Sequence, residues 1–257
     1  MTGVGALLAW YAAGHRDLPW RRTRDPYAIL VSEVMSQQTQ VARVVPRYEA
    51  WLKRWPTAAA LAAAPRGEVL AAWVGLGYNQ RALRLWQACR VIAEHGWPDD
   101  LRTLPGVGAY TAAAVGAFAF GRQEVAVDVN VGRVLARHGA PLAPPAGRAA
   151  DFNQALMELG ATVCTARVAR CDRCPLAGGC AARNGFSAGR APAGTGVRAP
   201  RERFEDSNRY VRGRVVAALA EGRPLPTDLD PQRVDRAVAG LTRDGLVVRS
   251  RRGLSLG

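Results

Sequence analysis

The sequence predicts an all-α protein that ends in a small mixed module. Three features carry that expectation. Apolar residues recur at helical spacing up to about Cys180, prolines and glycines punctuate them at short intervals, and there is little strand signal before residue 200. At 257 residues the chain can bury a sizeable core and hold more than one domain.

In order, 5–15 reads as a short apolar helix, followed by the loop Arg16-Asp17-Leu18-Pro19-Trp20-Arg21-Arg22. Pro26 opens a segment in which Ile29, Leu30, Val34, Met35 and Val41 fall at helical spacing. The pattern continues through 44–55, 61–64 and 68–73, with Pro46, Pro56 and Pro65 as punctuation. Gly75-Leu76-Gly77-Tyr78 is a turn that leads into an amphipathic helix over 81–94. Leu104-Pro105-Gly106-Val107-Gly108 is a second turn, and the next helix starts at about Tyr110. Gly106 and Gly108 let backbone approach a ligand closely, and the open amides of that helix start favour an anion, phosphate above all. After 181–203, an Ala/Gly/Pro/Arg linker, helices over 209–221 and 231–244 precede a hairpin of 246–250 and 254–256 around Arg251-Arg252-Gly253. Helices followed by a basic hairpin suggest a winged-helix-like module.

The formal net charge is +14, with a pI near 10.8. That favours a polyanionic partner, nucleic acid before membrane, over a merely solvated basic surface. No apolar run is long enough to span a bilayer, and residues 1–10 lack a signal-peptide layout, so a cytoplasmic protein is expected. Two carboxylates stand out. Asp128 is alone in the apolar run Val125-Ala126-Val127-Asp128-Val129-Asn130, and Glu33 sits among apolar residues just before Gln37-Gln38-Thr39-Gln40. A lone helix glutamate is most often solvent-facing. If the helix buries Glu33, desolvation raises its pKa and makes it a proton donor. With Asp128 it would then form the carboxylate pair used to cleave glycosidic bonds. The polar tail after Glu33 offers amides suited to base edges.

Cys164, Cys171, Cys174 and Cys180 are separated by six, two and five residues. In a cytoplasmic chain disulfides are disfavoured, so four thiols in so short a loop point to a metal site, either zinc or a [4Fe–4S] cluster. Arg167, Arg170 and Arg173 interleave the cysteines and are available to phosphates, or are plain solvated charges. Cys89, on an apolar helical face, reads as a core thiol.

Leu18-Pro19-Trp20, Ser32-Glu33-Val34-Met35, Gln37-Gln38-Thr39-Gln40, Gly75-Leu76-Gly77-Tyr78, Leu104-Pro105-Gly106-Val107-Gly108, Val127-Asp128-Val129-Asn130-Val131 and the four-cysteine loop together resemble the helix-hairpin-helix base-excision DNA glycosylases. Within them, the chain is most similar to the MutY adenine glycosylases. The resemblance implies two α-helical lobes with DNA between them. The domains would be 1–26 as the N-terminal part of a cluster domain, 27–134 as a six-helix domain with the hairpin, and 135–185 as the rest of the cluster domain. A linker over 186–203 and the module 204–257 would follow. It implies a [4Fe–4S] cluster on the four cysteines, with a structural and DNA-positioning role. A monomer acting on double-stranded DNA with a mismatched or damaged base is implied as well.

Carried over residue by residue, the resemblance makes Glu33 the group that protonates the adenine ring and Asp128 the group that stabilises the cationic sugar. Tyr110 and Asn130 would support them. Gln38 would wedge into the stack as the base is flipped out, a step the chemistry requires because the bond is inaccessible in a stacked duplex. Gln37, Thr39, Tyr78, Arg167 and Arg170 would also contact DNA, and Gly106 and Gly108 would give backbone amides to a phosphate.

Three departures bear on the substrate. Ser36 replaces a usual leucine, Asn79 replaces the second aromatic of a Gly-Tyr-Tyr pattern that contacts the opposite base, and the residues after Cys180 are too few for the family's 8-oxoguanine-recognition domain. Two alternatives to adenine removal therefore stand: a thymine or uracil glycosylase acting opposite guanine, and a non-catalytic iron–sulfur DNA-binding protein. Glu33, which the thymine and uracil enzymes tend to lack, favours adenine, and retention of both acids disfavours the non-catalytic reading.

Strand cleavage by a glycosylase typically proceeds through an amine that forms a Schiff base. Related bifunctional enzymes carry a lysine two residues after the second hairpin glycine, where this chain has Tyr110, and its only lysine, Lys53, is far from any motif. A lysine-based lyase is thereby excluded, although the N-terminal amine remains. The protein is expected to be monofunctional: borohydride should not trap it efficiently on substrate DNA, and efficient trapping would sink the assignment.

Overall fold

A computed structural model describes residues 3–185, 203–251 and 253–257. The linker expected over 186–203 lies, except for its last residue, outside the described residues. The helices are α1 (Gly3–Ala13), α2 (Pro26–Ser36), α3 (Val41–Arg54), α4 (Ala58–Ala62), α5 (Arg66–Ala72), α6 (Gln80–His95), α7 (Ala109–Phe120), α8 (Val129–His138), α9 (Ala149–Thr162), α10 (Asn208–Ala220) and α11 (Pro231–Arg243). Strands β1 (Val247–Ser250) and β2 (Gly253–Leu256) pair antiparallel, Val247 opposite Leu256. The all-α expectation therefore holds, with the only paired strands of the described residues in the late hairpin. Pro46 does not punctuate as expected. It lies inside α3, where its missing N–H costs one backbone bond while Val44, Tyr48 and Trp51 bury on a shared face.

Two compact units form. One gathers the described residues of Met1–Leu30 and Val107–Val197, the other those of Val31–Gly106 and Arg198–Gly257. In the first unit Leu7, Leu8 and Tyr11 of α1 pack with Val131 and Val134 of α8 and with Phe152, Leu156 and Leu159 of α9. Glu158 is 3% exposed in that unit and is held by Arg16, whose Nε donates at 2.8 Å, and by Arg21, whose Nη2 donates at 2.7 Å. In the second unit Trp51 meets Trp55 and Trp73 edge-on at 4.7 and 5.5 Å between ring centroids. There α10 and β2 pack on α5, and Arg66 Nη2 donates to the Gly245 carbonyl at 2.5 Å. The late module is thus seated on the helices around α5, a placement that sequence reasoning left open.

Burial alone would raise the Glu158 carboxyl, but the hydrogen bonds and charges of Arg16 and Arg21 outweigh it and hold it below the usual glutamate value. A depressed folded-state pKa contributes stability above the unfolded value, about 4.3, and that stability is lost as pH falls below it. Glu158→Gln leaves Arg21 buried without its charge partner. It should cost on the order of 3 kcal/mol at neutral pH and make stability less sensitive to acid below about pH 4.3. Denaturant unfolding of both proteins across this range checks it; identical acid sensitivity would count against the ion-pair account.

Candidate active site and nucleic-acid interface

Asp128 is the N-cap of α8. Its Oδ1 accepts from the backbone N–H groups of Asn130 at 2.9 Å and Val131 at 2.7 Å, and its Oδ2 accepts from Asn130 Nδ2 at 3.0 Å. Three donors at a helix start fix where the carboxylate points. Asn130 is fixed in turn, because its Oδ1 accepts from Arg133 Nη2 at 3.0 Å. Arg133 also donates to the carbonyls of Gly160 at 2.7 Å and Cys164 at 3.0 Å. A line of hydrogen bonds therefore runs from the acid to the first cysteine.

The segment entering Asp128 is held by Asn153, which is fully buried on α9. Its Oδ1 accepts from Ala126 N at 2.8 Å, and its Nδ2 donates to Glu124 O at 2.7 Å and Ala149 O at 2.9 Å. Tyr110, in the first turn of α7, reaches α9 through a 3.9 Å contact from its hydroxyl to Met157 Sδ. Val129, between Asp128 and Asn130, is 83% exposed, so the acid sits at the edge of the unit rather than in its core.

Glu33 belongs to the second unit. It is buried on α2, where residues 27–35 are buried on every side. A solvent-facing glutamate is thereby ruled out. The end of α2 depends on Arg81, 9% exposed on α6. Arg81 Nη1 donates to the carbonyls of Val34, Met35 and Gln37 at 2.7, 3.1 and 2.7 Å. Its Nη2 donates to Leu76 O at 3.0 Å, Gly77 O at 2.9 Å and Thr39 Oγ1 at 3.2 Å. One guanidinium so ties the Gln37-Gln38-Thr39 run to the Gly75–Tyr78 turn. On either side of it lie the two non-glycine residues with left-handed backbone among the described residues, Gln38 (φ 55) and Tyr78 (φ 48). Burial lowers the Arg81 pKa to about 10, which leaves it charged at neutral pH.

Gln38 and Tyr78 line two adjoining hollows of about 450 and 550 Å³, together with Asn79 and Arg209. Gly106 in the second turn has φ +79, and a Cβ there would lie 2.7 Å from Arg84 Cβ, so only glycine fits. Gly108 is the N-cap of α7 and, with no side chain to cap, leaves the first-turn amides open.

The four expected ligands converge in the first unit. Cys164, Cys171, Cys174 and Cys180 line one hollow with Arg137, Arg170 and Arg183. Arg137 Nη1 lies 3.4 Å from Cys164 Sγ, and Cys180 Sγ lies 3.3 Å from Arg137 O. Arg170 donates to Thr162 O at 2.7 Å, while Arg167 and Arg173 are exposed and do not line the hollow. Burial, with the neighbouring cysteines behind it, pushes the Cys171 thiol up and Cys174 to about 11. Four thiolates would therefore need a cationic group between them. Among the described residues no three His, Cys, Asp or Glu side chains gather closely enough for one metal ion. Four cysteines lining one hollow are a donor set that suits a zinc ion or an iron–sulfur cluster. Cys89 is fully buried, and burial pushes its thiol up to about 12, as befits a core residue.

Sequence reasoning missed Arg81, Arg133, Arg137, Asn153 and Arg209. Each bonds backbone or side chains brought together by the fold, and in the sequence none is marked apart from any other helix arginine or asparagine.

The family described as HhH-GPD superfamily base excision DNA repair protein matches residues 31–158. An adenine DNA glycosylase of Mycolicibacterium smegmatis is 45% identical over 279 residues, covering 96% of this chain and 93% of the relative. Among solved structures, a thermostable thymine-DNA glycosylase matches with a TM-score of 0.65 and 30% identity, over 71% of this chain and 95% of its own. A non-covalent endonuclease III–DNA complex matches with a TM-score of 0.61 and 24% identity, over 71% and 94%, and shares the fold.

A Cβ at Gly160 would lie 3.0 Å from Asn130 Cβ and 3.2 Å from its backbone. Gly160→Val is therefore expected to displace Asn130 and with it Asp128. It should lower base release by about tenfold or more while the thermal melting profile stays close to that of the wild type. Unchanged release would show that Asn130 tolerates displacement.

Proposed function

The chain belongs to the adenine DNA glycosylases of the HhH-GPD superfamily of base excision DNA repair proteins, and we propose that it removes adenine mispaired with 8-oxoguanine or guanine in double-stranded DNA. The reaction is hydrolysis of the N-glycosidic bond: water adds to the sugar, adenine leaves, and an abasic site remains. A monomer working in the cytoplasm on one duplex suffices, because every residue invoked belongs to one chain.

Glu33 protonates the adenine ring, so that the base leaves as a neutral molecule. Its burial supports this role, since a desolvated carboxyl is disposed to carry a proton. Asp128, oriented by its three donors, stabilises the positive sugar as the bond breaks. Tyr110 and Asn130 keep those acids in place. Gln38 enters the stack as the adenine leaves it, with Gln37, Thr39 and Tyr78 contacting the DNA beside it. Gly106 and Gly108 give amides to a strand phosphate, and Arg167 and Arg170 add contacts of positive charge.

Cys164, Cys171, Cys174 and Cys180 would hold a [4Fe–4S] cluster, which stiffens the loop beside the DNA. Absorbance near 400 nm and iron content distinguish it from zinc. Adenine is favoured over thymine or uracil by Glu33 and by the mycobacterial relative, whose similarity extends across 96% of this chain and so takes in the late module.

The observation that carries the reading is the Asp128 carboxylate fixed by three donors at a helix start. In a panel of mismatched duplexes, the wild type should release adenine and no pyrimidine. Asp128→Asn should lose release by at least about 100-fold and keep its affinity for DNA; unchanged release would remove Asp128 from the mechanism.

A further inference from the structure

The late module has no part in the chemistry above, yet it touches Tyr78 in the Gly75–Tyr78 turn. Arg209, in the first turn of α10, donates from Nη1 to the Tyr78 hydroxyl at 2.7 Å. Its guanidinium carbon stands 5.1 Å from the Tyr78 ring centroid and 5.0 Å from that of Phe204. Phe204 is braced edge-on by Tyr210 at 5.5 Å. Tyr78 itself is 43% exposed on left-handed backbone, a conformation that costs a non-glycine residue energy and persists only where its surroundings impose it. Arg81 imposes the backbone by holding the Leu76 and Gly77 carbonyls and stands 5.7 Å from the Tyr78 ring centroid, so the ring lies between two guanidinium groups and the hydroxyl is held by Arg209.

We propose that Arg209 is a positioning residue for Tyr78, and that the late module serves base extrusion by presetting this side chain for insertion beside the adenine. The inference rests on the glycosylase reading and assigns the module a place within it. A side chain that must enter a stacked duplex works best when its rotamer is already chosen, since the ordering is then complete before the DNA arrives. The cation–π stack of Phe204, Arg209 and Tyr78 supplies that ordering at an exposed site. Arg209 reaches no base in this scheme, so its contribution depends on whether a base has to be levered out.

The test uses the full chain under single-turnover conditions on two duplexes: adenine opposite guanine, and adenine opposite an abasic site, where no pair has to be broken. Arg209 is exposed, so Arg209→Ala should fold as the wild type does, which thermal melting checks. Arg209→Ala should slow release about tenfold opposite guanine and stay within about twofold opposite the abasic site. Tyr78→Phe, which deletes the accepting hydroxyl, should slow release opposite guanine to a similar extent, and there the double variant should be no slower than either single one. Equal losses on both duplexes, or additive effects in the double variant, would overturn the proposal. So would weaker binding with a salt slope shallower by about one, because that marks Arg209 as a phosphate contact. Failure of the wild type to release adenine from either duplex would instead overturn the glycosylase reading, and the inference with it.

Discussion

The second unit is built around one buried charge. A helix leaves its last carbonyls without donors, and α2 ends within the protein, where water does not serve them. Arg81 answers with a planar fork that reaches three carbonyls at the end of α2 and two in the Gly75–Tyr78 turn. A lysine could not span both groups, because its ammonium is a single point and the acceptors lie in two loops. Burying a guanidinium is costly, and the cost is offset only because nearly all its donors are used; among its nitrogens Nε is left unpartnered. Glu33 precedes this joint by one turn, and Gln38 and Tyr78 flank it. The strained backbone at those two positions is therefore a consequence of the same constraint.

The first unit solves a related problem with a different device. Capping α8 fixes the Asp128 carboxylate at a helix start, and the capping pattern is local, needing only the amides two and three residues on. What lies behind it is not local. Asn130, Arg133 and the carbonyl of Cys164 extend the line to the cysteine loop, and Asn153 clamps the approach from α9. Any group bound by the four cysteines would thus be linked to the acid through Arg133.

The late module shows how basic charge is divided. Several of its arginines are paired with acids, Arg212 with Asp244 at 2.5 Å and Arg214 with Asp228 at 2.8 Å. Such exposed pairs add little stability. Arg209 faces rings instead of a carboxylate, which sets it apart from its neighbours on α10. A net charge of +14 therefore describes affinity for a polyanion in general. The specific work falls to the few cations whose partners are aromatic rings or backbone carbonyls.

The sequence by itself determined what depends on neighbours in the chain. Helical periodicity located most helices within a few residues, and turn residues the late hairpin, while α8 and α9 were not picked out individually. The spacing of the four cysteines marked a shared metal-binding loop, and the turn Leu104–Gly108 and the solitary Asp128 were legible as motifs. Proline misled only at Pro46, because a single missing N–H is tolerated when the helix around it buries Tyr48 and Trp51. Tertiary structure decided everything that joins distant positions. It buried Glu33, gave Arg81 its two loops, ran Arg133 from Asn130 to Cys164, and seated the late module on α5 with Arg209 against Tyr78. The physical reason is that an arginine's partners here are backbone carbonyls and aromatic rings, groups that occur throughout a chain, so only the folded backbone selects which of them it meets.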